Sequence, residues 1–259
     1  MNRMRGSGAV GTVLACVAFL LGVDAACAQS PKGRTAVLPN GFVYLRDVDP
    51  SIAQDMRYAG ANNFTGHPLP GYGPADCVLR RDTALALKQV QDELRARALS
   101  LKVYDCYRPQ RAVDAMARWS QSVENHATRR FYPAQDKKGL FAAGWISHRS
   151  KHSAGIAVDL TLIPAGSATP TFDPRARYGN CDEADRAPDN SLDMGTGYDC
   201  FSGLSYTRNA AITAAAHVNR VQLITAMRKH GFNNYFREWW HFELRGGAPP
   251  VGYDVPIGR

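Results

Sequence analysis

The sequence predicts an α+β fold in which helices pack on a mainly antiparallel sheet. Three observations indicate this class: short apolar strands and amphipathic helices are both present, they do not follow one another in βαβ order, and two long stretches rich in Gly, Pro and Asn or Asp interrupt them. The chain of 259 residues contains no internal repeat and is long enough for one well-buried domain, or at most two small ones.

The first 28 residues have the pattern of a secretory signal peptide. Two arginines precede an apolar run too short to span a bilayer comfortably, and small residues ending in "ACA" come just before Gln29. We expect residues 29–40 to be a loose lead-in and residues 41–259 to form a single domain. No later segment is apolar for long enough to cross a membrane, so the sequence predicts an exported, soluble and periplasmic protein without a transmembrane anchor.

The first half of this domain begins with a short strand in "GFVYLRDV", followed by a long loop in "YAGANNFTGHPLPGYGPADC". From Arg81 to about Ala98 the apolar spacing predicts a helix, with Asp82 as its cap and Leu85, Val90 and Leu94 on one face. "LSLKVYDCY" alternates as a strand, and Pro109 starts a second helix that runs through Trp119.

The second half begins with a strand in "AGIAVDLTL", where the apolar side chains recur at every second residue. Residues 164–206 are rich in Pro, Gly, Ser, Asp and Asn, which predicts an extended insertion. A third helix is expected over Asn209–His230, with Gly231 as its stop signal and a final strand in "WWHFELR". The apolar stripe of this helix is predicted to contain Val218, Val221, Ile224 and Met227.

Four cysteines remain once the predicted signal peptide is removed. An even number in an oxidising compartment predicts two disulfides, and four cysteines allow three pairings. The expected pairing joins Cys77 to Cys106, between a helix start and a strand end, and Cys181 to Cys200, closing a polar loop. Zinc ligation by these cysteines is the alternative, but no C-x-x-C spacing supports it.

The charge pattern argues against a nucleic-acid partner. The formal net charge is +8, but basic stretches such as "LRRD" and "ATRRF" are scattered and lack interleaved aromatic residues. They are typical of a solvated surface. A loose electrostatic association with an anionic cell wall is compatible with this charge.

Two separate motifs supply the ligand types of an open zinc site, which takes three His, Asp or Glu side chains and leaves a fourth position for water. His152 and Asp159 lie in "SKHSAGIAVDL", where Gly155 allows a sharp turn between them, and His241 lies in "REWWHFEL". His148 is the competing ligand, four residues before His152, but the glycine and the β-branched residues that follow argue against a helix there.

Glu238 and Arg108 are the expected reactive partners of this site. A turn just before the last strand would place Glu238 beside His241, where it could take a proton from the attacking water and pass it to a leaving amine. Arg108 stands where a strand gives way to a helix, and its guanidinium could stabilise an oxyanion, an effect of about 2.7 to 4 kcal/mol when one donor is removed.

Taken together, the motifs resemble those of D-alanyl-D-alanine dipeptidases of the VanX type. "SKHSAGIAVDLTL" fits Ser-x-His-x-x-Gly-x-Ala-x-Asp, "EWWHF" fits Glu-x-x-His, and "YAGANNFTG", "DCYRPQRAV" and "DMGTGYDCF" occur in the same order. The similarity extends from about residue 41 to the end of the chain. Related zinc D,D-carboxypeptidases and Hedgehog-like domains share the His, Asp and His pattern, so the resemblance implies a Hedgehog/DD-peptidase-like catalytic domain.

The resemblance implies one zinc ion per chain and a small dipeptide substrate, D-Ala-D-Ala. It assigns the zinc ligands, the base and the arginine to the residues already named. It further implies that Tyr58 and Asp199 lie near the substrate ammonium and Ser150 near its carboxylate.

Two alternatives remain open at this stage. One is a D,D- or L,D-carboxypeptidase that acts on longer peptidoglycan stems with the same zinc apparatus. The other is a wall-binding module that keeps zinc without turnover, although such a module would need neither Glu238 nor Arg108. Export points to peptidoglycan turnover or use of released dipeptide.

Overall fold

The structure is a computed structural model, and it describes residues 37–124, 126–246 and 251–258. The predicted signal peptide and most of the lead-in lie outside these residues. The strands are numbered in chain order: β1 (Phe42–Tyr44), β2 (Ala53–Gln54), β3 (Val78–Arg80), β4 (Leu99–Asp105), β5 (Ala157–Pro164), β6 (Phe232–Asn234) and β7 (His241–Leu244). The helices are α1 (Leu45–Val48), α2 (Arg81–Arg95), α3 (Gln110–Gln121) and α4 (Ala214–Lys229).

A five-stranded sheet in the order β2-β4-β5-β7-β6 carries the fold. Only its β2–β4 pair is parallel; β4–β5, β5–β7 and β6–β7 are antiparallel, and β1 and β3 form a separate antiparallel pair. The predicted α+β class with a mainly antiparallel sheet is therefore confirmed. All the residues of β5 from Ala157 to Ile163 are buried, as expected for a central strand covered on both faces.

Two apolar clusters form the core, and the five-stranded sheet contributes to the first of them. In the first, α2 and α4 pack on the strands through Leu87, Leu94, Leu223 and Met227, among others. The second is rich in aromatic residues and includes α3, through Ala112 and Met116. The first and third predicted helices thus share one cluster, whereas the second belongs to the other. The described residues contain no helix with both the length and the apolar character needed to cross a bilayer.

The start of α2 differs from the prediction in two details. Its N-cap is Arg80, which makes no side-chain capping bond, and Asp82 lies inside the first turn, where its charge favours the helix dipole. Leu85 is exposed, and Leu87 faces the core in its place. The buried stripe is therefore rotated, because it also includes the small residues Thr83 and Ala84.

The last helix begins later than expected and buries a different stripe. Thr213 is its N-cap and accepts a hydrogen bond from the backbone N–H of Ala216. Val218 and Val221 are exposed, so their placement in the core was wrong. The buried stripe includes Arg220, whose guanidinium donates to three backbone carbonyls, those of Met194, Leu204 and Tyr206. The spacing of apolar residues in a sequence does not predict a buried charged residue of this kind.

The polar insertion after β5 contains little regular structure, as predicted. Cys181 is bonded to Cys200 within it, and Cys77 is bonded to Cys106, which is the pairing expected from the sequence. The second of these disulfides joins the residue before β3 to the residue after β4. Since the cysteines are paired, none of these sulfurs is a free thiolate for zinc.

Candidate active site

The predicted metal ligands come together where the central strands β5 and β7 pair. They are His152, Asp159 and His241. His152 lies in a 3₁₀ turn, Lys151–Ala154, directly before β5, and Asp159 and His241 are opposite each other on β5 and β7. The turn ends at Gly155, whose φ is +71° and where a Cβ atom would come within 2.3 Å of the Phe42 ring. Glycine is therefore required at this position for both backbone angle and space.

The three ligand atoms form a triangle of the size that zinc needs. His152 Nε2 is 3.2 Å from His241 Nδ1 and 3.3 Å from Asp159 Oδ1, and the latter two atoms are 3.0 Å apart. A tetrahedral zinc ion with bonds of about 2.0 to 2.1 Å would hold its ligand atoms about 3.3 to 3.4 Å apart. The donor set and its spacing fit a zinc ion with its fourth position open.

The atoms of these side chains that point away from the ligand triangle also have polar partners. His152 Nδ1 donates to the carbonyl oxygen of Cys106 at 2.7 Å, which leaves Nε2 to face the cluster. Asp159 Oδ2 accepts from the hydroxyl of Tyr198 at 3.0 Å, and His241 Nε2 faces Glu243 Oε1 at 3.3 Å. Such contacts fix ring orientation and tautomer.

The charges of this cluster are strongly coupled. Burial opposes ionisation of Asp159, but His152 and His241 outweigh it and hold the pKa of that carboxyl well below its ordinary value. Burial likewise opposes protonation of His241, but hydrogen bonds to Asp159 and Glu243 raise its pKa to about 10. In this cluster the Asp159 carboxylate is thus ionised, and the His241 ring beside it is held in its protonated form.

Glu238 lies beside His241 because the chain turns just before β7. The backbone N–H of Glu238 donates to Tyr235 and that of His241 donates to Glu238, which closes a turn rather than continuing the strand. The Glu238 carboxylate is 3.8 Å from His241 Nδ1, and Glu238 as a whole residue is 8% exposed. Burial raises its pKa to about 8, against the lowering effect of His241. A carboxyl group with such a pKa is suited to accept and return a proton near neutral pH.

Arg108 projects into the same space from the end of β4. Its Nε and Nη2 atoms lie 2.9 and 2.8 Å from Asp105 Oδ2, and its guanidinium stands over the Tyr58 ring at 4.9 Å. Burial opposes its charge, but Asp105 outweighs burial and raises the pKa of Arg108 well above its ordinary value. The group is therefore a fixed cation, held in orientation by Asp105.

The residues expected to contact substrate lie close to this cluster. The Tyr58 hydroxyl donates to Asp199 Oδ2 at 2.8 Å, and Asp199 has a left-handed backbone, with φ of +55°. Burial, followed by the nearby Asp159, raises the pKa of Asp199 well above its ordinary value. Ser150 caps the His152 turn, where its Oγ accepts from the backbone N–H of His152 at 3.3 Å.

All eight predicted site residues line one cavity of about 300 Å³. They are Tyr58, Arg108, Ser150, His152, Asp159, Asp199, Glu238 and His241. The competing ligand His148 is not among the residues that line it: its ring is stacked on Phe141 at 4.3 Å on the exposed surface. The cavity also contains Arg149 and Lys151, which add positive charge near Ser150.

Several residues at this site were missed by sequence reasoning. Asp105, which holds Arg108 and also accepts from the Tyr72 hydroxyl at 2.5 Å, stands three residues before Arg108 in "DCYR". That spacing could have suggested it. Glu243 stands two residues after His241, on the same face of β7, and this spacing could likewise have suggested it. Tyr198 gave no comparable signal, since only the fold brings it to Asp159.

The comparisons with known proteins agree with this geometry. The D-ala-D-ala dipeptidase family, peptidase M15, matches the chain over residues 39–171 and 185–257. The D-alanyl-D-alanine dipeptidase of Enterococcus faecium is 30% identical over 219 residues, covering 84% of this chain and 98% of that protein. The D-alanyl-D-alanine dipeptidase of Streptomyces coelicolor is 32% identical over 218 residues, covering 83% of this chain and 98% of that protein. The D-alanyl-D-alanine dipeptidase of Escherichia coli K12 is 32% identical over 207 residues, covering 80% of this chain and 86% of that protein.

The family match covers most of the chain and includes every residue that lines the cavity. The relatives from Enterococcus faecium and Streptomyces coelicolor are matched over 98% of their length. The chain therefore belongs to the D-ala-D-ala dipeptidase family, peptidase M15, and is a metallopeptidase of this zinc-dependent family.

Proposed function

We propose that this protein hydrolyses D-Ala-D-Ala to two D-alanines with one zinc ion held by His152, Asp159 and His241. The observation that carries the proposal is one cavity of about 300 Å³ in which a candidate metal triad, a buried carboxyl group, a buried arginine and a second buried acid converge. This volume is at the lower end of ligand pockets, about 300 to 1,000 Å³, which favours a short substrate.

Each end of a dipeptide finds a complementary group. Asp199 and the Tyr58 hydroxyl offer an anion and an oxygen acceptor for the ammonium, and the two are already joined by a hydrogen bond of 2.8 Å. The Ser150 hydroxyl, with Arg149 and Lys151 lining the same cavity, suits the carboxylate. A site that binds a free ammonium and a free carboxylate on either side of one peptide bond fits a dipeptide. A stem peptide has an amide in place of that ammonium, so Asp199 would have no cationic partner.

The reaction is a hydrolysis of one peptide bond. When bound, zinc supplies Lewis-acid chemistry that polarises the carbonyl and makes water more acidic. Glu238 accepts a proton from the attacking water and returns it to the leaving amine. Arg108 stabilises the oxyanion that forms on the former carbonyl oxygen, and Asp105 keeps the guanidinium oriented.

We also propose that residues 41–259 act as one catalytic domain in the periplasm, after loss of residues 1–28. The two disulfides support export, because they are rare in reducing compartments. The role would be peptidoglycan turnover or use of released dipeptide, with at most a loose association with the wall. Cell fractionation checks this: recovery of the oxidised protein in the cytosol would refute it.

The test of the activity is D-alanine release by the purified protein, starting at Gln29, from two substrates. One is D-Ala-D-Ala and the other is a stem pentapeptide that ends in D-Ala-D-Ala, each with and without a chelator. We expect chelator-sensitive release from the dipeptide alone. Release from the pentapeptide would instead identify a carboxypeptidase, and zinc binding without release from either substrate would identify a wall-binding module.

A further inference from the structure

Tyr198 contacts the proposed zinc ligand Asp159 from outside the metal triad. Oδ1 of Asp159 faces both histidines, whereas Oδ2 accepts the Tyr198 hydroxyl at 3.0 Å. Both residues are buried. Arg108 Nη2 is 3.8 Å from Oδ2, which is beyond hydrogen-bond distance. Within the described part of the chain, the phenol is thus the one hydrogen-bond donor to this oxygen.

Ring packing and the backbone of the polar insertion together hold Tyr198 in this position. Its ring is stacked on Tyr104 with centroids 4.5 Å apart, and it meets the Trp240 ring edge to face at 5.6 Å. The backbone N–H of the preceding residue, Gly197, donates to the Cys181 carbonyl at 2.7 Å. The Cys181–Cys200 disulfide closes the loop that contains Tyr198 and so restricts the position of its ring.

Two consecutive side chains of the insertion serve different parts of the site. The left-handed backbone at Asp199 turns that carboxyl toward Tyr58, while Tyr198 points to Asp159. A non-glycine residue in this conformation is uncommon and costs free energy, so packing must hold it there. The insertion thus contributes one group to the substrate cavity and another to the metal triad.

We propose that Tyr198 is a positioning residue for the metal site: its hydroxyl fixes the Asp159 carboxylate so that only Oδ1 faces the ion. This inference depends on the proposed zinc site. A buried carboxylate that binds a metal through one oxygen leaves the other oxygen in need of a donor. Without the phenol, the carboxylate could rotate, and the ligand geometry would be less well prepared for the ion.

The test is zinc affinity, measured by competition with a chromophoric chelator, for wild type, Tyr198→Phe and Tyr104→Phe. Tyr104 is the matched control because its ring is equally buried in the same stack, while its hydroxyl donates to Asp189 at 2.9 Å, away from the triad. We expect Tyr198→Phe to weaken zinc binding by about 10-fold or more, and Tyr104→Phe by less than about 2-fold.

Thermal melts of the chelated proteins separate this role from a merely structural one. If Tyr198→Phe lowers stability, the rise in melting temperature that saturating zinc produces still reports affinity, and it should be smaller than in wild type and in Tyr104→Phe. Equal zinc affinity in wild type and Tyr198→Phe would overturn the inference but leave the proposed function intact. Failure of wild type to bind zinc would overturn the proposed function itself.

Discussion

Asp159 and His241 are direct cross-strand partners on β5 and β7, with Oδ1 and Nδ1 3.0 Å apart. On the other side of β5, Asp105 of β4 is opposite Asp159, because β4 has an irregular register between Val103 and Asp105. Two of the proposed metal ligands, Asp159 and His241, thus lie in one row with Asp105, the carboxylate that orients Arg108, across three strands. The site is a product of strand register, which buried side chains specify strongly.

Replacing Glu238 with Gln should separate binding from chemistry. Because Glu238 is outside the triad, Glu238→Gln should keep its zinc but lose about 10²- to 10⁴-fold in kcat, the usual contribution of a general base. His241→Ala should lose zinc together with activity. Metal analysis and D-alanine release, measured on the same samples, check both. Loss of zinc from Glu238→Gln would refute the base assignment, and full zinc in His241→Ala would require another ligand.

Replacing Arg108 with Lys should lower turnover although the charge is kept. The guanidinium lies against Asp105 through two nitrogens, and an ammonium cannot reproduce this fixed orientation. We expect kcat to fall by about 10²-fold or more, with zinc affinity nearly unchanged. Steady-state kinetics and zinc competition are the measurements. A lysine variant with wild-type kcat would show that Arg108 does not stabilise the transition state.

Binding of the dipeptide should release a proton from Asp199. Burial raises its pKa in the free protein, so the carboxyl keeps its proton to a higher pH than an ordinary aspartate does, and an incoming ammonium favours the ionised form. Affinity should therefore increase with pH until the substrate amine itself titrates, at about 7.7 to 8.0. Calorimetry of zinc-loaded Glu238→Gln with D-Ala-D-Ala, in buffers of different protonation enthalpy, measures this release.

The control for this linkage is the double variant Glu238→Gln, Asp199→Asn. It should bind the dipeptide more weakly and release no proton, because the amide does not titrate. A binding enthalpy that is independent of the buffer in the single variant would contradict the assignment of Asp199 to the ammonium.

Each disulfide should contribute measurably to stability. The bonds join residues 29 and 19 positions apart, and loops of these lengths correspond to about 3 to 4 kcal/mol of unfolded-state entropy each. The pair Cys77→Ala, Cys106→Ala and the pair Cys181→Ala, Cys200→Ala should each lower the free energy of unfolding by roughly that amount. Urea unfolding, with the reduced wild type as reference, is the measurement. Midpoints equal to that of the oxidised protein would refute the prediction.

Asp189 should make the protein sensitive to acid. Burial opposes its charge, but Arg57 and Lys102 outweigh burial and hold the pKa of Asp189 below its ordinary value. A lowered folded-state pKa gives stability that is present above the unfolded pKa of about 3.9 and is lost as the pH falls through the folded value. Asp189→Asn should therefore be less stable at neutral pH and lose less stability on acidification.

The matched control for this acid effect is Asp193→Asn. Asp193 pairs with Arg186 at the surface, where its side chain is half exposed, so its removal should change stability little. Melting temperatures from about pH 7 to about pH 3 compare the variants. If Asp189→Asn followed the wild-type pH curve, the buried charge cluster would not be a source of acid sensitivity.

The sequence predicted those parts of the protein that depend on local pattern. The turn at Gly155 follows from the need for a positive φ, and the strand with Asp159 follows from its apolar run. The turn before the last strand was likewise expected, since a strand could not direct both Glu238 and His241 to one side.

Features set by distant contacts could not be predicted in this way. Arg220 is buried in α4 because backbone carbonyls from the insertion meet its guanidinium, and this exposes the valines that looked like core residues. Asp105 and Tyr198 reach the site only through a strand irregularity and a closed loop. Such placements require the three-dimensional register of the sheet.

The most direct test of the proposed function is a zinc titration of chelator-stripped protein during D-Ala-D-Ala hydrolysis. We expect D-alanine release to recover in proportion to added zinc and to level off at one ion per chain, while Glu238→Gln binds the same zinc without recovery. Release that continues after complete removal of zinc, or an intact dipeptide at full zinc occupancy, would show that this site does not perform the reaction.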